Sequence, residues 1–303
     1  YTLSLHDALP ICNQALARAT MQEASKLAGY NVPQLLEVAR LQMRAGVLDG
    51  ALHSLTKAAQ EAPDDVGVLL LGVELAAARK SGPAEVDKAM AALTAKHPNY
   101  PGTLLTAGHI ALSRGQYAKA TASYRALFDK APTTEVAVLL AQSLLAGNEP
   151  DKAIAHLEAW AKRNPADLIA KRALADAQVT GGKPQLAKLT YSELTAADPQ
   201  NEELVAGYAR VLRRLNDPGA VAMAERAFKM APQKLNLADG YGWMLVETGK
   251  LDAGIQILRE ARLRDPGYPA VRWHLTAALL KAGRKVEARE ELQAILAGGL
   301  PPP

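Results

Sequence analysis

The chain has 303 residues and a formal charge of +4, and its 35 basic and 31 acidic residues are interspersed, so no basic run with interleaved aromatics marks a nucleic-acid face. Hydrophobic residues make up 49% of the chain, mostly Ala and Leu, with only 2 Phe; that palette favours helices and lacks the Val/Ile/Thr alternation of strands. An all-α protein is predicted. The most apolar stretch, Val66 to Ala78, is 13 residues long and carries Glu74, short of the roughly 20 that a membrane span needs.

In chain order, residues 1–11, Tyr1 to Ile11, stand outside any helical pattern. They resemble a peptide read from translated adapter DNA and are expected to be foreign to the fold. No basic start followed by an apolar run marks a signal peptide. Cys12 is the only cysteine, so no disulfide framework, thiol nucleophile or Cys-based metal site is expected. A Cys-free body suits an oxidising compartment. A leading helix is predicted from about Asn13 to Leu27. In the next segment Leu35, Leu36, Ala39 and Met43 recur with helical period, as Leu251, Ile255 and Leu258 do near the other end.

Seven prolines then mark out the chain: Pro63, Pro98, Pro132, Pro165, Pro199, Pro232 and Pro266, at intervals of 35, 34, 33, 34, 33 and 34. A period near 34 residues is the mark of two-helix repeats. Seventeen residues before a proline stands a turn former: Gly46, Ser81, Gly115, Asn148, Gly182 or Gly249. Twelve before stands a small residue: Ala51, Ala120, Ala153, Ala187, Ala220 or Gly254. Gly283 and Ala288 repeat the pair in a last unit, where Leu300 replaces the proline. The turn former ends the first helix, the small residue lets the second lie close, and proline stops it. Asp64 or Asp65, Thr133 or Thr134, and Asn201 are expected to cap the helix that follows. The second unit departs, with Val86 at the small position and Ser81-Gly-Pro83 at the turn; so does the sixth, at Leu215 to Gly219. Irregular packing is expected at both.

These features resemble the tetratricopeptide (TPR) family, as in Leu104, Gly108, Gly115, Ala120, Tyr124 and Pro132, and again in Gly242, Gly249, Leu258, Ala261 and Pro266. The resemblance covers about residues 12–300, leaving 301–303 as a cut tail, and implies a right-handed superhelical solenoid of antiparallel helix pairs with about eight and a half repeats. Both ends look cut from a longer protein. A narrower resemblance, carried by Gly240-Tyr-Gly-Trp-Met-Leu-Val-Glu-Thr-Gly-Lys-Leu-Asp252, Val271 to Arg284 and Glu287 to Leu292, is to bacterial PEP-CTERM/exosortase-associated TPR lipoproteins of the PrsT type. That resemblance implies an exopolysaccharide or envelope-sorting context and a periplasmic or outer-membrane location, with the cytoplasm as the alternative.

No metalloprotease, phosphate-loop or nucleophile-elbow motif is present, and Gly240-Tyr-Gly242 lacks the third glycine and preceding strand of a dinucleotide site. No enzyme activity, cofactor or metal is expected. The resemblance places the first helix of each unit on a concave groove. His109, Arg40, Gln142, Asp176 and Trp243 share one stripe there; Leu36, Leu105, Val138, Arg172, Asp239 and Trp273 lie four residues earlier on it or its equivalent. Arg44 and Arg79 fall toward the same side. Trp243 and Trp273 are placed in adjacent units at heights that bring their rings close, whereas Trp160, Tyr124 and Tyr191 read as core. The expected role is a scaffold binding a protein or peptide, with Trp243 and Leu105 as apolar anchors and Arg40, Arg44 and Arg172 supplying charge. The alternatives are a solenoid that binds polysaccharide by ring stacking, and the regulatory part of a larger enzyme.

Overall fold

The computed structural model describes residues 23, 25 and 27–297; the segment 1–11, most of the leading helix and the tail 301–303 lie outside them. From Val32 onward the described residues form sixteen α-helices and no strand. They fall into two compact units, divided between Pro132 and Thr133. The first holds three helix pairs: α1 (Val32–Arg44) with α2 (Leu48–Glu61), α3 (Val66–Ala78) with α4 (Pro83–Lys96), and α5 (Pro101–Ser113) with α6 (Tyr117–Lys130). The second holds five: α7 (Thr134–Ala146) with α8 (Pro150–Arg163), α9 (Leu168–Thr180) with α10 (Pro184–Ala197), α11 (Glu202–Arg214) with α12 (Ala220–Met230), α13 (Leu235–Glu247) with α14 (Leu251–Arg264), and α15 (Pro269–Lys281) with α16 (Lys285–Ala297).

Each boundary has a local cause. Asp65 accepts from the amides of Gly67 (2.8 Å) and Val68 (3.1 Å), Thr133 from Val136, and Asn201 from Leu204, as the sequence leads one to expect; Asn31 and Asp167 cap α1 and α9 in the same way. At the other end of α5, Gln116 N–H reaches the Ala111 carbonyl at 2.8 Å and Gly115 N–H reaches Leu112 at 3.0 Å, a double closure that needs the left-handed Gly115 (φ 68°) between them. Every ladder proline sits two residues beyond its second helix, and the residue before it has left the helical region, as His97 (φ −132°, ψ 57°) and Ala131 (φ −139°, ψ 74°) show.

Two turns differ from expectation. Ser81 is not the left-handed residue of the second pair; Lys80 (φ 54°) is, followed by Gly82 (φ 94°). In the sixth, Asn216 takes that role at φ 53°, and the following helix α12 shortens to 11 residues. The anticipated irregularity is therefore a one-residue insertion and a one-residue deletion after the first helix. Val86 is accommodated: it is buried and packs with Val73 and Leu93.

The core lies between the two helices of each pair and, within each unit, between successive pairs. Ala51, Ala120, Ala153 and Ala187 are fully buried, as are Tyr124 and Tyr191. Trp160 is buried too, and its indole N–H donates to the Asp167 carboxylate at 2.8 Å. That carboxylate also accepts from the Thr134 hydroxyl at 2.6 Å and the Ala170 amide at 2.9 Å, tying α7, α8 and α9 together. Burial alone would raise its pKa, but these hydrogen bonds overcome burial and hold it below the ordinary value. A folded-state pKa below the unfolded one means the carboxylate stabilises at neutral pH, and that stabilisation is lost as pH falls below about 4. Asp167→Asn is expected to lower the denaturant midpoint at pH 7, with the gap from wild type narrowing toward pH 3.

Candidate functional site

The ninth residues of the first helices share one register position from pair to pair. In the first unit these residues are Arg40, Glu74 and His109; in the second they are Gln142, Asp176, Arg210, Trp243 and Ala277. All are exposed except Trp243 and Ala277, which are half-buried. Four residues earlier lie Leu70, Leu105, Val138, Arg172 and Trp273, half-buried, and Leu36, Ala206 and Asp239, buried. Two residues at these positions are missed by counting back from the prolines: Glu74 and Arg210.

On the first unit Arg40 and Arg44 stand around Glu37, at 3.9 and 3.8 Å, and with Met43 and Glu74 they line a shallow cavity of about 330 Å³. His109 is exposed and meets the buried Tyr124 ring edge-on, 5.9 Å between centroids. Arg79 does not join them; it pairs with Asp49 at the start of α2, 3.0 Å away.

The second unit carries the larger recess. A cavity of about 800 Å³ is bordered by Asp176, Tyr191, Arg210, Arg213, Arg214, Asp217, Met244 and Glu247. A neighbouring one of about 350 Å³ is bordered by Ala206, Ala209, Leu237, Asp239, Tyr241, Trp243, Tyr268 and His274, and it shares Arg210, Arg213 and Met244 with the first. Asp176, Asp239 and Trp243 of the predicted residues thus border this recess, while Gln142, Arg172 and Trp273 are not part of either lining. Asp239 is buried, 8% exposed, and its carboxylate is engaged by His274 Nδ1 at 2.7 Å. The partner of the Trp243 ring is also new. His274 lies parallel to it (centroids 4.6 Å apart, 15°), and the Lys281 ammonium stands 5.0 Å from its centroid. Both side chains come from α15, where sequence spacing put Trp273 forward instead.

Asp176 carries a second duty. It accepts a hydrogen bond from the hydroxyl of the buried Tyr191, and burial followed by this carboxylate pushes that phenol well above its ordinary pKa, so it stays a donor. Tyr124 fills the same slot in the first unit, but the ninth position there is His109 and the buried Tyr124 hydroxyl has no hydrogen-bond partner among the described residues. Tyr191→Phe is therefore expected to cost about 1–2 kcal/mol and Tyr124→Phe to be near neutral. His109→Asp, which offers Tyr124 the acceptor that Tyr191 has, should raise thermal stability. Melts of the three variants check this.

Stacked two-helix units with a turn of fixed geometry and a side-chain stripe on the leading helices define a helical-repeat protein. Two sequence profiles, both described as tetratricopeptide repeat, match residues 105–168 and 245–299. The solved structures agree on the fold: a tetratricopeptide repeat protein from Parabacteroides merdae (16% identity, TM-score 0.61, 83% of this chain and 100% of that one) and yeast Tom70 (14%, TM-score 0.59, 93% and 61%). Two stretches of the chain thus match the tetratricopeptide-repeat family, and the chain shares the fold of solved tetratricopeptide-repeat structures. It is also similar, at 29% identity over 159 residues, to cellulose synthase 1 operon protein C of Komagataeibacter xylinus; the match covers 52% of this chain but only 12% of that protein.

Proposed function

We propose that this chain is a non-catalytic scaffold that holds a protein partner in the recess of its second unit, as part of a bacterial exopolysaccharide or envelope system. The observation that carries the reading is Trp243: a large, half-buried ring at the edge of the smaller of two adjoining cavities, on a stripe whose residue type changes from unit to unit. A purely structural position would favour one residue type throughout. Here the ninth position runs through glutamine, aspartate, arginine and tryptophan, which suits recognition of a particular sequence. Protein or peptide binding is what the repeat family is built for.

The system-level part of the proposal draws on the likeness to a protein named for a cellulose synthase operon and on the PrsT-type pattern near the C-terminus. Together they favour an envelope location on the periplasmic side; no described helix is long and apolar enough to cross a membrane. Direct polysaccharide binding is the weaker alternative, because His274 already occupies a face of the Trp243 ring that a sugar would stack on. If the chain is a regulatory part of a larger enzyme, the same recess would hold the partner. The test is capture from an extract of the source organism on the immobilised chain, with Trp243→Ala as the comparison. A protein retained by wild type and lost by the variant is expected; equal retention by both, or none by either, overturns the proposal.

A further inference from the structure

We infer that the recess of the second unit recognises an acidic protein segment, with carboxylates held by Arg210 and Arg214 and a neighbouring aliphatic side chain seated in the smaller cavity. This rests on the scaffold reading above and gives its partner a chemistry. The charge balance around the larger cavity is specific. Three carboxylates border it, Asp176, Asp217 and Glu247. Each already has a basic partner: Arg172 stands 4.0 Å from Asp176, Lys188 2.7 Å from Asp217, and Arg213 reaches both oxygens of Glu247 at 3.0 Å. Arg210 and Arg214 border the same cavity, are exposed, and form no ion pair among the described residues.

The two stand one turn apart on α11, where like charges repel and weaken the helix. The C-terminal end of α11 favours a cation at Arg214, but no carboxylate among the described residues pairs with either guanidinium, and an incoming carboxylate would relieve the repulsion between them. The guanidinium fork matches a carboxylate with two parallel hydrogen bonds. Arg210 also borders the smaller cavity, so a single bound segment can reach both sites. One side of the smaller cavity, of roughly 350 Å³, is apolar, formed by Ala206, Ala209, Ala224, Ala227, Leu237 and Met244, and suits an aliphatic side chain.

The test uses the whole chain and an array of blocked nonapeptides in which glutamate, lysine and leucine content vary independently, together with a galacturonate hexamer. Peptides with two glutamates beside a leucine should bind wild type, with affinity falling as salt rises. The double variant Arg210→Glu, Arg214→Glu should weaken them by about tenfold or more. The control pair Lys119→Glu, Arg125→Glu, exposed on α6 and equal in charge change, should leave them unaffected. Equal binding of acidic and basic peptides, indifference to the double reversal, or binding of the hexamer with no peptide bound would each overturn the inference. If the acidic peptides fail while Trp243→Ala still abolishes partner capture, the acidic chemistry falls and the scaffold reading stands. If capture fails as well, both fall.

Discussion

Gly254→Val is expected to destabilise the second unit by roughly 3 kcal/mol, the upper end of what overpacking costs. Gly254 lies at the crossing of α13 and α14, and a Cβ there would stand 2.6 Å from the Gly242 carbonyl oxygen and 2.6 Å from Val246 Cγ2. One of those atoms is backbone, so no rotamer change relieves the clash and the two helices must move apart. The cluster of Val246, Ile255, Leu258, Leu275 and Ala278 sits at this crossing and would lose contact with them. Replacing a helical glycine gains at most about 1 kcal/mol of propensity, less for a β-branched residue, so the clash decides the sign. Gly240→Ala is the control: it lies on the same α13 with nothing within 4 Å of its added Cβ, and it should be neutral or slightly stabilising. Because each pair in an array leans only on its neighbours, the Gly254 variant should lose the helices nearest the C-terminus first. Hydrogen exchange over α13 to α16, beside a thermal melt, would show this; unchanged protection there would refute it.

The proline ladder makes the architecture legible because it marks where every second helix must stop, whatever lies between. What it does not carry is the register of the first helices in irregular units. Each first helix is followed by its left-handed residue at a constant offset, from Val32 to Gly46 through Pro269 to Gly283. The spacing varies outside the first helix and its turn: one residue is gained before Pro98, one is lost before Pro232, and one is lost between Pro132 and Thr134. Counting back from Pro98 and Pro232 lands on Leu75 and Ala209, both buried, instead of Glu74 and Arg210, both exposed. Counting from the turn would have found both, since Asn216 marks the turn as clearly as Gly182 does. His274 was hidden for a different reason. Its hydrogen bond to Asp239 and its stacking on Trp243 depend on how α15 lies against α13, a matter of packing that no local spacing records. The same holds for Asp167, whose role as cap is visible locally but whose bonds to Thr134 and Trp160 join three helices.

Trp243→Ala should weaken partner binding by at least 2 kcal/mol, about thirtyfold, as expected for a tryptophan anchor near the centre of an interface. The ring also has an internal role: it packs against the Val246, Ile255 and Leu258 cluster and supports His274, which in turn holds the buried Asp239. Truncation therefore removes packing as well as contact surface, and some fall in melting temperature accompanies it. Trp243→Phe separates the two effects. It keeps a ring for His274 to stack on and most of the packing, but gives up the outer part of the indole and its N–H. If the ring meets the partner, the Phe variant melts close to wild type yet binds several-fold more weakly, and the Ala variant loses far more affinity than its residual folded fraction explains. If the ring serves only the wall, the Phe variant binds like wild type, and the loss in the Ala variant tracks its unfolding.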